Sequence, residues 1–143
     1  MSVLVDTTVL LAAAVEAHGH HEPCIDWLTT TISDTDLFVS AHSLAELYAQ
    51  FTRPGMFEMT PNDARQIIQR YATSMEVVAL SESEYLDLID DAVDQDVRYG
   101  LIYDLIHVHA AQKAGVDEIA SINVRHFSRI WPPERIIDPV NRS

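Results

Sequence analysis

The sequence is poor in the residues that mark several protein classes, and each shortage excludes something. A single cysteine, Cys24, has no partner for an internal disulfide and cannot build a thiolate metal cage, so nothing points to an oxidising compartment. There are only four glycines, and no Gly/Ser-rich stretch, repeat or low-complexity tract separates one part of the chain from another. The longest uninterrupted apolar run, Val9 to Val15, falls far short of the roughly 20 residues that span a bilayer. Met1-Ser2-Val3-Leu4-Val5-Asp6 has neither a basic region nor a cleavage site, so no signal peptide is expected and the cytoplasm is the expected location. Positive charge is scarce as well: of nine basic residues only Lys113 is a lysine.

What the chain does carry is acid and apolar bulk. With 48% hydrophobic and 22% charged residues and a mean hydropathy of +0.01, its 143 residues suit one globular domain with a real core. The 22 acids leave a formal charge of −13, which argues against a simple nucleic-acid binder. The imbalance is uneven: residues 1–97 hold 17 acids and 3 bases, residues 98–143 hold 5 acids and 6 bases. A polyanion must therefore approach the C-terminal third or be bridged by metal ions. An acidic, lysine-poor surface also resembles proteins of salt-loaded cytoplasms, where self-repulsion is screened.

Periodicity predicts strands at Ser2–Val5, Leu37–Ser40, Val77–Leu80 and Glu118–Ile122, with a short edge strand at Arg135–Ile137. Helices are expected over Thr8–Glu16, Glu22–Ile32, from Ser43 to about Phe51, from Thr60-Pro61 to about Met75, from Ser81 to about Asp96, and over Tyr103–Ala114, closed by Gly115. Ser43-Leu44-Ala45-Glu46 has the form of a capping box. Strands alternating with helices mean parallel pairing and an α/β fold.

In parallel sheets, ligands collect beyond the carboxyl ends of the strands. Asp6 ends the first strand, Glu46 lies in the first turn after the second, Asp104 lies near the start of the helix before the fourth, and Asn123 ends the fourth. Three carboxylates and an amide are the hard oxygen donors that suit Mg²⁺ or Mn²⁺. Each has a plainer role to fill: Asp6 as a helix cap, Glu46 as the third residue of its box, Asp104 as a complement to a helix dipole, Asn123 as a turn residue. Their joint placement at one sheet edge favours the site, because clustered carboxylates repel unless a cation lies between them. His18-Gly19-His20-His21 lacks the separated ligand pairs of a structural zinc site and reads as a solvated loop and helix start. The acids Glu82, Glu84, Asp87, Asp90, Asp91, Asp94 and Asp96 read as a solvated face.

Taken in order, Val3-Leu4-Val5-Asp6-Thr7-Thr8-Val9-Leu10, Ser43-Leu44-Ala45-Glu46-Leu47, Gly100-Leu101-Ile102-Tyr103-Asp104 and Ser121-Ile122-Asn123-Val124-Arg125-His126-Phe127 resemble the PIN-domain ribonucleases over nearly the whole chain. The likeness is greatest to the VapC-like toxins of toxin–antitoxin pairs. The resemblance implies a three-layer α/β/α sandwich around a parallel sheet of four to five strands. It also implies Mg²⁺- or Mn²⁺-dependent cleavage of RNA, a homodimer and a cognate antitoxin. Matched residue by residue, it makes Asp6, Glu46 and Asp104 the catalytic metal ligands and puts Asn123 at a variable fourth position. Thr8, Arg125 and Arg129 become candidate substrate contacts.

Two positions depart from the pattern: Thr8 replaces the more usual Asn or Ser, and His126 stands where an Asp commonly precedes the Phe. The second leaves three carboxylates, so a degenerate PIN domain that only binds RNA or protein is the alternative. Aspartyl-nucleophile phosphatases require an acid two residues after the first Asp, where this chain has Thr8. Receiver domains require an Asp after the third strand, where it has Ser81.

Overall fold

The computed structural model describes residues 1–141. β1 (Ser2–Val5), β2 (Asp36–Ser40), β3 (Glu76–Val78), β4 (Glu118–Ala120) and β5 (Ile136–Ile137) form one all-parallel sheet in the order β3-β2-β1-β4-β5. The expected α/β class with four to five parallel strands is what the chain adopts. Strand alternation sorts the core. Val3 and Val5 point to one face and Leu4 to the other, all three fully buried, as a strand covered on both sides requires.

The first face is covered by α1 (Thr7–Ala14), α2 (His21–Thr31), α3 (Ala41–Phe51) and α4 (Pro61–Ser74), through Leu10, Trp27, Phe51 and Ala64 among others. The second is covered by α5 (Glu82–Asp94), α6 (Leu101–Ala114) and the short α7 (Val124–Phe127), through Leu88, Leu105 and Phe127. The result is the three-layer sandwich. No helix among the described residues is long and apolar enough to cross a membrane.

The chain winds outward from β1 through β2 to β3, then returns to lay β4 on the other side of β1. The crevice between β1 and β4 is thus a topological switch point, where helices leave to opposite sides and the strand ends stay uncovered. Registers of Leu4 with Phe38 and Val5 with Ala120 bring Asp6, Ser40 and Ser121 level with one another just past the strand ends. A polar row therefore crosses the centre of an otherwise apolar sheet.

Several expectations are corrected. Helix α3 starts at Ala41, capped by Ser40, whose hydroxyl accepts from the Ser43 N–H at 3.3 Å. Ser43 is therefore not the cap, and Glu46 sits in the second turn rather than in a capping box. Strand β4 stops at Ala120, so Asn123 lies beyond it at the start of α7. The Pro54-Gly55 break followed by Met56, Phe57 and Met59 suggests an exposed adhesive loop; of these three Met56 alone is exposed, and Phe57 and Met59 pack against the core. The solvated face of α5 is also incomplete, because Glu84 closes a capping box with Ser81 and Asp91 contacts His109 at 2.8 Å.

At the far edge, β5 is held by Arg135. Its guanidinium donates to the carbonyls of Asp117 and Val116 at 2.6 and 2.9 Å and stacks 4.4 Å from the centre of the Trp131 ring.

Candidate active site at the carboxyl edge of the sheet

Asp6 is the innermost group, 2% exposed at the end of β1. It caps α1 by accepting from the Val9 N–H at 3.2 Å, so the plain reading of this residue holds. The cap occupies only part of the carboxylate. The Thr8 hydroxyl donates to Oδ1 and the Ser121 hydroxyl to Oδ2, each at 2.6 Å. Burial pushes this carboxyl up from its ordinary range, opposed by the charge of His107 and by the donors on Ser121, Thr8 and Val9. Thr8 also accepts from the Ile122 N–H at 3.1 Å, so its hydroxyl is spent on orienting Asp6 and tying β1 to the chain after β4.

Glu46 is held differently. Its Oε1 accepts from the Thr7 hydroxyl at 3.1 Å and lies 3.4 Å from Nε2 of both His42 and His107. Thr7 contacts Ser43 at 2.9 Å, Ser43 contacts Ser40 at 3.3 Å, and Ser40 contacts Nδ1 of buried His107 at 3.0 Å. These five side chains close a ring. Because the carboxylate only accepts, Thr7 must donate to it, which fixes the direction of every hydroxyl. All five links are made only when His107 donates from both nitrogens; a neutral imidazole leaves one link open. Burial pushes the Glu46 carboxyl up, but His107, His42 and Thr7 outweigh it and hold the group below its usual range. No hydrogen bond among the described residues ends on Oε2, so one oxygen is left for a ligand.

Asp104, in the first turn of α6, has its Oδ2 3.6 Å from Nδ1 of His126. Burial, together with the negative charges of Asp6 and Glu46, pushes its carboxyl up to about 6 against the opposing charges of His107 and His126. The three predicted acids therefore share one electrostatic field at the switch point. They do not stand as a finished metal centre: among the described residues no three His, Cys, Asp or Glu side chains are drawn together tightly enough to enclose an ion. The donor set nevertheless fits a hard cation, being all oxygen, mutually repelling, and supplied with an unpartnered oxygen on Glu46.

The family model of the PIN domain matches residues 3–130. The chain belongs to the PIN-domain family. Solved structures with the same PIN fold include Mycobacterium tuberculosis VapC20, a toxin that cleaves the sarcin–ricin loop. It aligns with TM-score 0.73 and 15% identity over 92% of this chain and 97% of that one. VapBC2 from Rickettsia felis, bound to a promoter DNA fragment, aligns with TM-score 0.68 and 17% identity over 96% and 98%. FitAcB from Neisseria gonorrhoeae aligns with TM-score 0.67 and 14% identity over 98% and 99%. No curated protein sequence matches the chain.

Within this PIN domain the fourth predicted position, Asn123, is exposed; it shares a cavity with Asp104, His126 and Arg129 rather than lying against Asp6. It is tied to Asp6 through the backbone, since its N–H donates to the Ser121 hydroxyl at 2.9 Å. Arg125 is exposed on α7. The residues that periodicity missed are Ser40, Ser43, His107 and Ser121. Two carried a signal. His107 is three residues after Asp104, on the same helical face, and Ser121 is the residue that a parallel register sets beside Asp6.

Proposed function

We propose that this PIN domain is a metal-dependent endoribonuclease, with Mg²⁺ or Mn²⁺ held by Asp6, Glu46 and Asp104 and with Asn123 at the rim. The observation that carries the reading is the convergence of three carboxylates, from β1, α3 and α6, on one uncovered crevice where their charges act on each other. A divalent cation bound there supplies Lewis-acid polarisation of a phosphoryl oxygen and a water of lowered pKa. Asp6, fixed by three donors, is the rigid anchor. Glu46, with Oε1 engaged and Oε2 unpartnered, orients the attacking water and takes up its proton. Asp104, more exposed than Asp6, holds the metal on the side of the crevice that the phosphodiester approaches. Arg125 and Arg129 neutralise flanking phosphates in the less acidic third of the chain.

The solved relatives that are toxins and toxin–antitoxin complexes support a more specific setting. In it the chain is a cytoplasmic toxin, a homodimer, restrained by a small antitoxin whose Arg or Lys side chain fills the acidic cleft.

The test is RNA cleavage by the purified protein with Mg²⁺ or Mn²⁺ against EDTA. Wild type should cut only with metal, and Asp6→Asn and Asp104→Asn should each lower the rate at least about 100-fold, equivalent to roughly 3 kcal/mol of transition-state stabilisation. The contact of His126 with Asp104 favours one rival, a degenerate PIN domain that binds RNA or protein without cutting. Intact RNA under every metal condition, with restored cleavage in His126→Asp, selects that rival.

A further inference from the structure

The cavity beside Asp104 carries two residues that the catalytic reading does not use, Arg98 and Tyr99. It measures about 430 Å³, within the range of small-ligand sites, and is lined by Arg98, Tyr99, Asp104, Asn123, His126 and Arg129. In a protein of charge −13, two arginines on one small cavity are a local exception. Arg98 is spoken for only by Asp96, at 2.9 Å, in a pair whose members are 82% and 75% exposed. Such pairs contribute little and yield readily to a better anion.

Tyr99 is the second exception. Its side chain is 98% exposed, far more than any other tyrosine among the exposed large residues. Its backbone holds φ at +52°, in the left-handed region that bulky residues seldom occupy, and its carbonyl accepts from the Ile102 N–H at 3.1 Å as α6 begins. An aromatic ring is thus presented to solvent at the edge of a cavity that Asp104 also lines. On the same cavity, the exposed Asn123 amide offers a donor and an acceptor in one plane, the pattern that pairs with the edge of a nucleobase.

We propose that this cavity is a nucleotide subsite for single-stranded RNA: Tyr99 stacks on one unpaired base next to the scissile phosphodiester, Asn123 faces its edge, and Arg98 and Arg129 take its phosphates. The proposal rests on the ribonuclease reading and adds to it the residue that holds the base, Tyr99. A free π-face suits an unpaired base, since bases inside a duplex already stack on their neighbours. Stacking tolerates any base, so Tyr99 selects strand state and Asn123 contributes the preference among bases. Charge points the same way: Arg98 and Arg129 line the cavity that Tyr99 borders, so phosphates beside a stacked base meet cations.

The test uses the full chain with Ca²⁺ in place of the catalytic metal. The probes are a short fluorescein-labelled single-stranded RNA and the same strand annealed to its complement, followed by fluorescence anisotropy. Tyr99→Ala should weaken binding of the single strand by about 5- to 150-fold, the range that loss of one base–aromatic stack produces. Tyr99→Phe should retain it, and the duplex should bind weakly to both variants alike. Tyr99→Ala that binds the single strand like wild type overturns the proposal; so does an equal loss in Tyr99→Phe, or an equal loss on the duplex. A shift to monomers in Tyr99→Ala, read by light scattering with unchanged RNA affinity, also overturns it and makes the ring a contact between protein chains. The two readings fail separately. Wild type that binds RNA through Tyr99 but never cuts it retires the nuclease alone, whereas Tyr99→Ala that cuts at the wild-type rate retires the subsite alone.

Discussion

Ser43 with Glu46 and Ser81 with Glu84 share the same spacing, yet they fold to different ends. At Ser81 the hydroxyl accepts from the Glu84 N–H at 3.2 Å and the Glu84 carboxylate accepts from the Ser81 N–H at 2.8 Å, a reciprocal box on the surface. At Ser43 neither bond exists, because β2 runs directly into α3 and Ser40, three residues earlier, has already taken the cap. Ser43 is then swallowed into the helix and Glu46 is released to face the crevice, surrounded by His42, His107 and Thr7. Where the preceding strand ends decides which residue caps. The motif alone does not, and a carboxylate freed from capping is available for chemistry.

The contrast can be broken most severely at the two glutamates. Glu46→Gln should reduce RNA cleavage with Mn²⁺ at least about 100-fold, since the amide keeps the contacts of the side chain and loses its basicity. Glu84→Gln should leave the rate within about twofold. Equal losses in the two variants mean that Glu46 is no more than part of the framework.

Metal sharpens the same contrast. Mn²⁺ at about 100 times its dissociation constant should stabilise the wild type by about 2.7 kcal/mol, read as a rise in melting temperature. Glu84→Gln should keep that rise and Glu46→Gln should lose most of it.

The serines come next. Ser40→Ala removes both the cap of α3 and a member of the Thr7–Ser43–Ser40–His107–Glu46 ring, and should destabilise by about 1–2 kcal/mol while slowing cleavage. Ser81→Ala removes only a surface cap and should cost about 1 kcal/mol, with cleavage intact. Urea titration and initial rates on the same preparations separate the two.

The smallest effect is in pH. The Asp104 carboxyl is pushed up to about 6, above its unfolded value of 3.8, so the folded metal-free chain binds the extra proton and loses stability as pH rises through that window. Lys113 holds the Glu84 carboxyl down to about 2, below 4.5, so its contribution runs the other way, present above 4.5 and lost as pH falls toward 2. Asp104→Asn should flatten the first slope and raise neutral-pH stability by about 1 kcal/mol, after allowance for its partial exposure. Glu84→Gln should flatten only the second. Melting curves across pH in EDTA measure both.

The fold was legible because its strands are short, apolar and separated by helical periods, so Ser2–Val5 and its neighbours announced a parallel sheet. Asp6 was legible as well, since a polar residue ending an apolar strand has few uses. Glu46 was legible from its place after the second strand, but it was set one turn too early and given a capping box it does not form, because periodicity does not say where β2 hands over to α3. The hydroxyl and imidazole ring around it was invisible, since it joins residues from β2, α1, α3 and α6 that only the sheet register brings together. Phe57 and Met59 looked exposed because a Pro-Gly break suggests a loop, while their burial depends on contacts distant in sequence.

The family match stops at residue 130, but the sheet does not. The Ile137 carbonyl of β5 accepts from the Ser121 N–H at 2.9 Å, and the Ser121 hydroxyl donates to Asp6. A chain truncated at the family boundary therefore loses more than a tail. It uncovers the β4 edge as a template for intermolecular pairing, forfeits the Arg135 clamp, and slackens the backbone that aims a donor at the central acid. Such a fragment is expected to aggregate, and a soluble fraction of it to bind metal less tightly than the full chain, so the last strand is a buttress of the acidic crevice as much as an edge of the sheet.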